Sequence, residues 1–314
     1  MISFPTTLSE LEVPDGAVVR AGGTDLQERL RSAASVGKPA PHIVDLTGID
    51  GFAGITDAVD GGVRIGAGTR MAVVARELAE RFPGLAITTG SLATPQIRNH
   101  GTIGGNLTQR TRCWYYRHPG IDCVKSGGEG CPARTGRHLY GVAFDRSECV
   151  HPHPSSIAMA LLTHDASVEL ADGTTMTVEA LLGDGVDPTR DHLLPDGAVI
   201  VAVHVGSPWP GERGAYFRSI SRFEAEWPLV ECVVRARFDG DTIAECGVAI
   251  GGVARVPLRM SAAEEILAGA TLDDATISAA AQACTEGANP LPETGYKVEL
   301  IAATVTETLE RLRG

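Results

Sequence analysis

The chain has 314 residues, with 27 Lys and Arg against 39 Asp and Glu, which gives a formal net charge of −12. This length predicts about two domains, and the negative charge opposes binding to nucleic-acid phosphates, so we expect no nucleic-acid partner. The longest apolar runs, such as SSIAMALLT, are much shorter than the roughly 20 residues of a membrane span, and none is expected. The first residues lack the basic and apolar regions of a secretory signal. We therefore expect a cytoplasmic protein, or a periplasmic one only if a signal-bearing partner exports it.

The N-terminal third alternates short strand-like runs with helical ones. The runs are AVVRAGG, TDLQERLRSAA, HIVDLTGI and GVRIGAGTRMAVVARELAERF. Thr24 and Thr69 each stand just before a helical run, and their hydroxyl groups are predicted to cap the helix N-termini.

The remaining chain predicts a loop-like insertion, further helices and strands, and a second domain. The insertion extends over residues 109–150 and has little apolar periodicity. Beyond it, SSIAMALLTHDASVELADGTTMTVEALL and DGAVIVAVHV predict a helix, a hairpin and a strand. GSPWPGERG is the best boundary candidate, and strands followed by three helices come after it, with Asp239-Gly240 as a hairpin turn. This order is typical of an α+β layer pair.

Two glycine-rich stretches are candidates for a nucleotide site. RAGGTDL, starting at Arg20, places two glycines between a strand and a helix, where converging N–H groups and the helix dipole suit a phosphate. A simple tight turn is the alternative. ATPQIRNHGTIGGNL, starting at Ala93, interleaves glycines with polar side chains. A solvated irregular turn is the alternative there, and neither stretch is the G-x-G-x-x-G fingerprint of the Rossmann fold.

Together, AGGTDL and QIRNHGTIGGNL resemble the FAD-binding subunit of the molybdenum hydroxylases, and the resemblance covers nearly the whole chain. It implies an α+β fold: a vanillyl-alcohol-oxidase type FAD-binding domain of two α/β subdomains, followed by a smaller α+β domain. The implied boundaries are 1–206, with subdomains about 1–55 and 56–206, and 207–314.

The resemblance also implies which residues contact FAD. In the first loop they are Ala21, Gly22, Gly23, Thr24, Asp25 and Leu26, through their backbone, and in the second Asn99, His100, Thr102, Ile103, Gly104, Gly105 and Asn106. Ser155-Ser156 stands where the family often has Ser-Asp, so Ser156 either replaces an acidic contact or leaves it missing. The attachment of FAD is expected to be non-covalent.

The insertion holds four cysteines, Cys113, Cys123, Cys131 and Cys149, at spacings of 9, 7 and 17 residues. Because no C-x-x-C pair is present, neither a zinc ribbon nor a bacterial ferredoxin run fits, and metal ligands or unlinked buried cysteines both stay open. Basic residues around them would stabilise a negatively charged cluster: Arg110, Arg112, Arg117, Lys125, Arg134 and Arg137. RCWYYR, GGEGC and CVHPHPSS resemble the 4Fe-4S insertion found in some aldehyde oxidoreductases and in 4-hydroxybenzoyl-CoA reductase, which implies one 4Fe-4S cluster on the four cysteines.

Several other residues receive structural interpretations. Cys232, Cys246 and Cys284 lie in strand or helix patterns and are predicted to be core residues. His151 and His153 are predicted to belong to a rigid turn. Trp227 either contacts the flavin or packs in the core.

The resemblance implies an electron-transfer flavoprotein. It would take electrons from a small subunit with 2Fe-2S clusters, while a molybdopterin-binding large subunit oxidises the substrate, an aldehyde or an aromatic compound. No side chain is predicted to act as an acid, base or nucleophile, since the flavin supplies the chemistry. The basic insertion and the missing Rossmann fingerprint favour a ferredoxin over NAD as acceptor. A self-sufficient flavin oxidase and a nucleotide-binding module with a structural zinc are the alternatives.

Overall fold

A computed structural model describes residues 1–223 and 225–314 of the chain. It contains three β-sheets. The first is a small parallel sheet, built from β1 (Ile2–Ser3), β2 (Val18–Arg20) and β3 (Ile43–Asp45), with β3 in the middle. Helix α1 (Leu26–Ser35) connects β2 to β3, so its N-terminus lies at the carboxyl end of β2. This crossover places the first glycine-rich loop at the edge of the sheet where ligands bind in such units.

The second sheet is antiparallel and has five strands in the order β4-β5-β8-β6-β7. The elements of this region, in chain order, are β4 (Ile55–Asp57), β5 (Val63–Gly66), α2 (Met71–Glu77), α3 (Pro83–Gly90), α4 (Pro95–Arg98), α5 (Ile103–Leu107), α6 (Trp114–Arg117), α7 (Ser156–Leu162), β6 (Ser167–Leu170), β7 (Thr175–Thr177), α8 (Val178–Leu182) and β8 (Ile200–Val205). All seven residues of α7 are buried. This helix therefore lies at the centre of the main core, as its uninterrupted apolar sequence requires.

The third sheet is also antiparallel, in the order β12-β11-β10-β9. It consists of β9 (Arg213–Ser219), β10 (Val230–Asp239), β11 (Thr242–Gly251) and β12 (Leu258–Arg259), and the helices after it are α9 (Ser261–Leu267), α10 (Asp274–Ala283) and α11 (Tyr296–Arg313). Gly240, at a φ of +60°, completes the predicted hairpin turn. Cys232 and Cys284 are fully buried in the core of this layer and Cys246 packs against it, which confirms their structural interpretation.

The cysteine-rich insertion is ordered and hydrogen-bonded to both halves of the molecule. Ala143 donates its N–H to the carbonyl of Val253 at 2.7 Å, and the Ser32 hydroxyl, on α1, donates to the carbonyl of Arg117 at 3.1 Å. A small apolar cluster of Ala133, Val142 and Val150 lies inside the insertion. The segment therefore joins the N-terminal crossover to the third sheet.

The predicted helix caps at Thr24 and Thr69 are wrong. Helix α1 is preceded by Asp25, and no side chain caps it. The Thr69 hydroxyl instead accepts a hydrogen bond from the N–H of Gly54 at 2.9 Å and donates one to its carbonyl at 3.0 Å. A tertiary partner thus outcompetes the local cap at Thr69.

Across residues 1–223 and 225–314, the structure has no helix with the length and apolar character needed to cross a membrane.

Candidate cofactor sites

The first glycine-rich loop presents free backbone donors at the N-terminus of α1. Within the described chain, the N–H groups of Gly22, Gly23 and Thr24 donate no hydrogen bond to protein. Gly23 has a φ of +71°, a conformation that favours glycine. Three consecutive unpaired donors and the positive end of a ten-residue helix together form an anion-binding surface.

Gly22 is required by the packing of the two glycine loops against each other. A Cβ atom on Gly22 would lie 2.0 Å from the carbonyl oxygen of His100. Backbone cannot move aside easily, so any side chain at this position forces the loops apart. The absence of a side chain here serves the loop-to-loop contact as well as the approach of a ligand.

The second glycine-rich loop is fixed by Thr102 and Asn106. Thr102 caps α5, accepting a hydrogen bond from the N–H of Gly105 at 3.2 Å. The Asn106 side-chain oxygen accepts one from the Ser155 hydroxyl at 2.6 Å, and Ser155 in turn caps α7 through the N–H of Ala158 at 3.0 Å. This chain of contacts holds the second loop against the buried helix.

One cavity of about 330 Å³ lies between the two loops. Ten of the fourteen residues predicted to contact FAD line it: Ala21, Gly22, Gly23, Thr24, Asp25, Leu26, Thr102, Gly105, Asn106 and Ser156. The other four do not. Asn99 and His100 are exposed outside the cavity, Ile103 is fully buried in the core, and a Cβ on Gly104 would meet Ala67 at 2.8 Å. Ile103 and Gly104 therefore serve the packing of the loop.

The Asp25 carboxylate faces this cavity and pairs with two arginines of the insertion. Arg112 and Arg117 each lie 2.7 Å from its Oδ1 atom, and the N–H of Arg110 donates to Oδ2 at 3.2 Å. Burial would raise the pKa of Asp25, but these cations outweigh it, and the pKa lies below its ordinary value. Asp25 is therefore ionised at neutral pH, and its side chain connects the phosphate loop to the insertion.

A second cavity, of about 340 Å³, lies inside the insertion, and all four of its cysteines line it. Cys113, Cys123 and Cys149 are buried and Cys131 is partly exposed. Burial raises the pKa of Cys113 to about 11, and it raises that of Cys149 although Arg255 and Lys125 act in the opposite direction. Both thiols are therefore protonated at neutral pH unless an occupant binds them as thiolates.

Buried positive charge exceeds negative charge beside this cavity. The Asp191 carboxylate pairs with Lys125 at 2.8 Å, Arg110 at 3.0 Å and Arg255 at 3.6 Å. Arg255 also donates a hydrogen bond to the sulfur of Cys149 at 3.5 Å. Lys125 and Arg255 are almost completely buried and exceed the charge of Asp191 by one, while Arg110, whose side chain is 26% exposed, adds a partly solvated cation. Such a surplus favours an anionic occupant.

Lys297 adds a further cation to the wall of the cavity. Its side chain is buried, and its Nζ donates to the carbonyl of Gly252 at 2.7 Å. Burial lowers its pKa to about 7. The sequence analysis missed Lys297, Asp191 and Arg255, which are contributed by distant segments. Lys125, two residues after Cys123, was the one local signal.

The two histidines of the VHPHP turn are buried and neutral. Burial lowers the pKa of both His151 and His153 to about 4. His151 lies within 3.0 Å of the Thr111 hydroxyl, whereas His153 accepts from the N–H of Ser155 at 3.2 Å. Within the described residues, no group of three or more His, Cys, Asp or Glu side chains is arranged to hold a metal ion.

Six basic residues of the insertion are ion-paired with acidic side chains of the chain. Each of the six forms an ion pair, in the order Arg110–Asp191, Arg112–Asp25, Arg117–Asp25, Lys125–Asp191, Arg134–Asp145 and Arg137–Glu293. Arg137 alone among these six is strongly exposed, with 82% of its side chain accessible. Internal pairing thus neutralises most of the predicted basic docking surface, while Arg137 and Arg146 are exposed.

A thin partition separates the two cavities. Arg112, Glu226, Trp227 and Pro228 line both of them. The Arg112 guanidinium lies over the Trp227 ring, 4.6 Å from its centre. Trp227 is 46% exposed, so its interpretation as a core residue is wrong, and it belongs to the partition.

These features define a class of protein. Two facing glycine loops at a helix N-terminus, in a domain followed by a smaller sheet-and-helix domain, are typical of a protein that binds a dinucleotide through backbone contacts. Comparison with known families then identifies the group. Residues 5–208 match the FAD binding domain in molybdopterin dehydrogenase, and residues 215–312 match the CO dehydrogenase flavoprotein C-terminal domain. The chain belongs to the FAD-binding medium subunits of the molybdenum hydroxylase family, and is thus a flavoprotein subunit of an oxidoreductase.

Individual relatives cover nearly the whole chain. It is 32% identical to the aldehyde oxidoreductase FAD-binding subunit PaoB of Escherichia coli K12, over 98% of this chain and 94% of that one. It is 26% identical to the xanthine dehydrogenase FAD-binding subunit of E. coli O157:H7, over 87% and 80%. Carbon monoxide dehydrogenase from Hydrogenophaga pseudoflava shares the fold, with a TM-score of 0.74 at 22% identity over 99% and 96% of the two chains. The predicted family is confirmed, and so is the predicted arrangement of an FAD-binding domain followed by a smaller C-terminal domain.

Proposed function

We propose that this chain transfers electrons within a multi-subunit molybdenum hydroxylase. A small subunit with 2Fe-2S clusters delivers the electrons, and a molybdopterin-binding large subunit oxidises the substrate. The relative PaoB, covered almost end to end, is named as part of an aldehyde oxidoreductase, which supports an aldehyde or a related aromatic compound as substrate. The division of the chain at about residues 206 and 207 is part of the same proposal.

FAD would bind between the two glycine loops. The free N–H groups of Gly22, Gly23 and Thr24 fit a pyrophosphate, because they meet its charge with fixed dipoles at the N-terminus of α1. Thr102 and Asn106, held by their own hydrogen bonds, would contact the remaining phosphate and ribose groups. The flavin supplies the redox chemistry when bound, and the chain binds it, orients it and sets its electrostatic surroundings.

Cys113, Cys123, Cys131 and Cys149 would hold one 4Fe-4S cluster. The observation that carries this proposal is the convergence of all four thiols on one cavity with a buried surplus of positive charge. A cluster bound by four thiolates is negatively charged, so Lys125 and Arg255 would stabilise it. A structural zinc on the same cysteines is the alternative, and the metal content of the purified chain distinguishes the two.

A ferredoxin or a similar one-electron carrier is the proposed acceptor. Charge supports it weakly, since most basic residues of the insertion are ion-paired within the fold and only Arg137 and Arg146 among them are strongly exposed. Exposed aromatic side chains do: Trp114 is 54% exposed, packs edge-on against Tyr140, and both line the cysteine cavity. We expect reduction of ferredoxin to be faster than reduction of NAD and to depend only weakly on salt. Steady-state rates of the complex with each acceptor, at low and high salt, measure both properties.

Cofactor content of the purified complex tests the proposal directly. We expect FAD that is released into the supernatant by acid, and about four iron and four sulfide per chain beyond those of the small subunit. Yellow colour kept in the pellet would show a covalent flavin. A chain with flavin and zinc but without extra iron would contradict the cluster. Substrate turnover by the isolated chain would instead support a self-sufficient oxidase.

A further inference from the structure

One short segment of the insertion, Arg110–Arg117, contacts both cofactor sites. On one side it supplies Cys113 to the cysteine cavity, and Arg112 lines both cavities. On the other side it docks on α1, the helix whose N-terminus carries the phosphate loop. We propose that this docking segment couples the two sites, so that filling the cysteine cavity strengthens the binding of FAD. The inference rests on the proposed function.

The contacts of the docking segment with α1 are ionic and well formed. Arg117 binds the Asp25 carboxylate at 2.7 Å and that of Glu28 at 3.3 Å. The Ser32 hydroxyl, one turn further along α1, donates to the Arg117 carbonyl. Since Asp25 directly precedes α1 and lines the FAD cavity, these contacts fix the orientation of the helix end that faces the cofactor.

Arg117 also determines the shape of the docking segment. Its guanidinium donates to the carbonyls of Thr111 at 2.8 Å and Arg110 at 2.9 Å, and its N–H donates to the carbonyl of Cys113 at 2.9 Å. The arginine therefore closes the segment into a compact turn around Cys113. An occupant bound by Cys113 restricts this turn, and with it the position of the guanidinium on Asp25.

Arg117 lines neither cavity. It contacts the acidic side chains at the start of α1 and the backbone of the docking segment. It is a positioning residue. Its 11% exposed side chain makes four polar contacts, which a shorter or uncharged side chain cannot reproduce. Coupling between binding sites is reciprocal and commonly amounts to roughly tenfold in affinity, so the cluster and FAD should each improve retention of the other.

The test compares FAD affinity with and without the cluster. The full-length chain is prepared with its iron-sulfur centre, or with that centre removed by oxidant and chelator, and FAD is titrated into each by flavin fluorescence. We expect removal of the cluster to raise the Kd for FAD about tenfold in the unmodified chain. In Arg117→Gln the same removal should change the Kd by less than about twofold. Arg64→Gln is the matched control, because Arg64 pairs with Glu169 at 3.0 Å and lines neither cavity.

Each outcome decides the question. A roughly tenfold change in the Kd for FAD in Arg64→Gln, together with its loss in Arg117→Gln, supports coupling through the docking segment. An unchanged Kd after cluster removal from the unmodified chain overturns the inference while leaving the proposed function intact, and so does full coupling in Arg117→Gln. A chain that never contains iron overturns both. If Arg117→Gln does not fold, Arg117→Lys replaces it. The comparison of the unmodified chain with and without its iron-sulfur centre needs no variant.

Discussion

The two cavities differ in the part of the polypeptide that forms them. The FAD cavity is formed by the backbone of two loops, where N–H groups and missing side chains meet the ligand. The cysteine cavity is lined by side chains, with four thiols, Lys125 from the insertion and Lys297 from a distant segment, and Arg255 contacts Cys149 beside it. The FAD site can therefore be recognised from a short sequence motif, whereas the cysteine site is marked only by the amino-acid composition of its segment. They should also fail in different ways, by steric clash in one and by loss of ligands or charge in the other.

The largest expected effect is the loss of the cluster when one ligand is removed. In Cys113→Ala we expect iron and sulfide above the partner's content to fall from about four per chain to near zero, because a cluster on three thiolates is poorly held. Cys246→Ala is the control, since Cys246 packs against the core of the third sheet, far from the cavity wall. Iron and sulfide assays on both variants measure the effect. Equal losses in the two would contradict the assignment of ligands.

A clash in the FAD site should come next in size. In Gly22→Ala the new Cβ meets the His100 carbonyl at 2.0 Å, so we expect about 3 kcal/mol of lost stability together with loss of FAD. Gly206→Ala is matched to it, because a Cβ there meets nothing within 4 Å. Flavin absorbance and urea unfolding report the two effects. Normal stability and full flavin occupancy in Gly22→Ala would show that the two loops do not pack as described.

The smallest expected effect concerns the pH dependence of the cluster-free chain. Lys297 has its pKa lowered to about 7 by burial, whereas an unfolded lysine titrates near about 10.4. Between these values the unfolded chain binds a proton that the folded chain lacks, so stability rises with pH in this window. We expect Lys297→Met to remove about 2 kcal/mol of that rise between pH 7 and 9.

Chemical unfolding of both proteins at the two pH values, without iron, measures this difference. Lys297→Arg is the control variant, because an arginine keeps its positive charge at both pH values. An identical pH slope in the unmodified chain and in Lys297→Met would mean that the lysine does not lose its proton on folding.

Local sequence predicted the elements around the first glycine loop, and the family resemblance predicted residues most of which line one cavity. The strand, glycine turn and helix from β2 to α1 all follow from neighbouring residues, and ten of the fourteen predicted contact residues do line one cavity. The four others show the limit of a motif: Ile103 and Gly104 are in it because the loop must pack on the core and on Ala67. A sequence motif contains residues that line the cavity and residues that pack the loop, and it does not distinguish the two.

The second site was predicted only in part, because its determinants are remote along the chain. Asp191, which pairs with Lys125, Arg110 and Arg255, lies 64 to 81 residues from each of them. No periodicity or spacing relates such positions. Ion pairing also reduces the predicted basic surface, since composition counts charges without showing which of them neutralise one another.

The surplus of buried cations also bears on how the chain matures. Lys125, Arg110 and Arg255 share the single Asp191 carboxylate, and the repulsion among these cations is a cost that an anionic occupant would relieve. Burial keeps the Cys113 and Cys149 thiols protonated, and thus slow to react. On the proposed function, insertion of a cluster would therefore require deprotonation of these thiols and would relieve the repulsion among the cations in the same step.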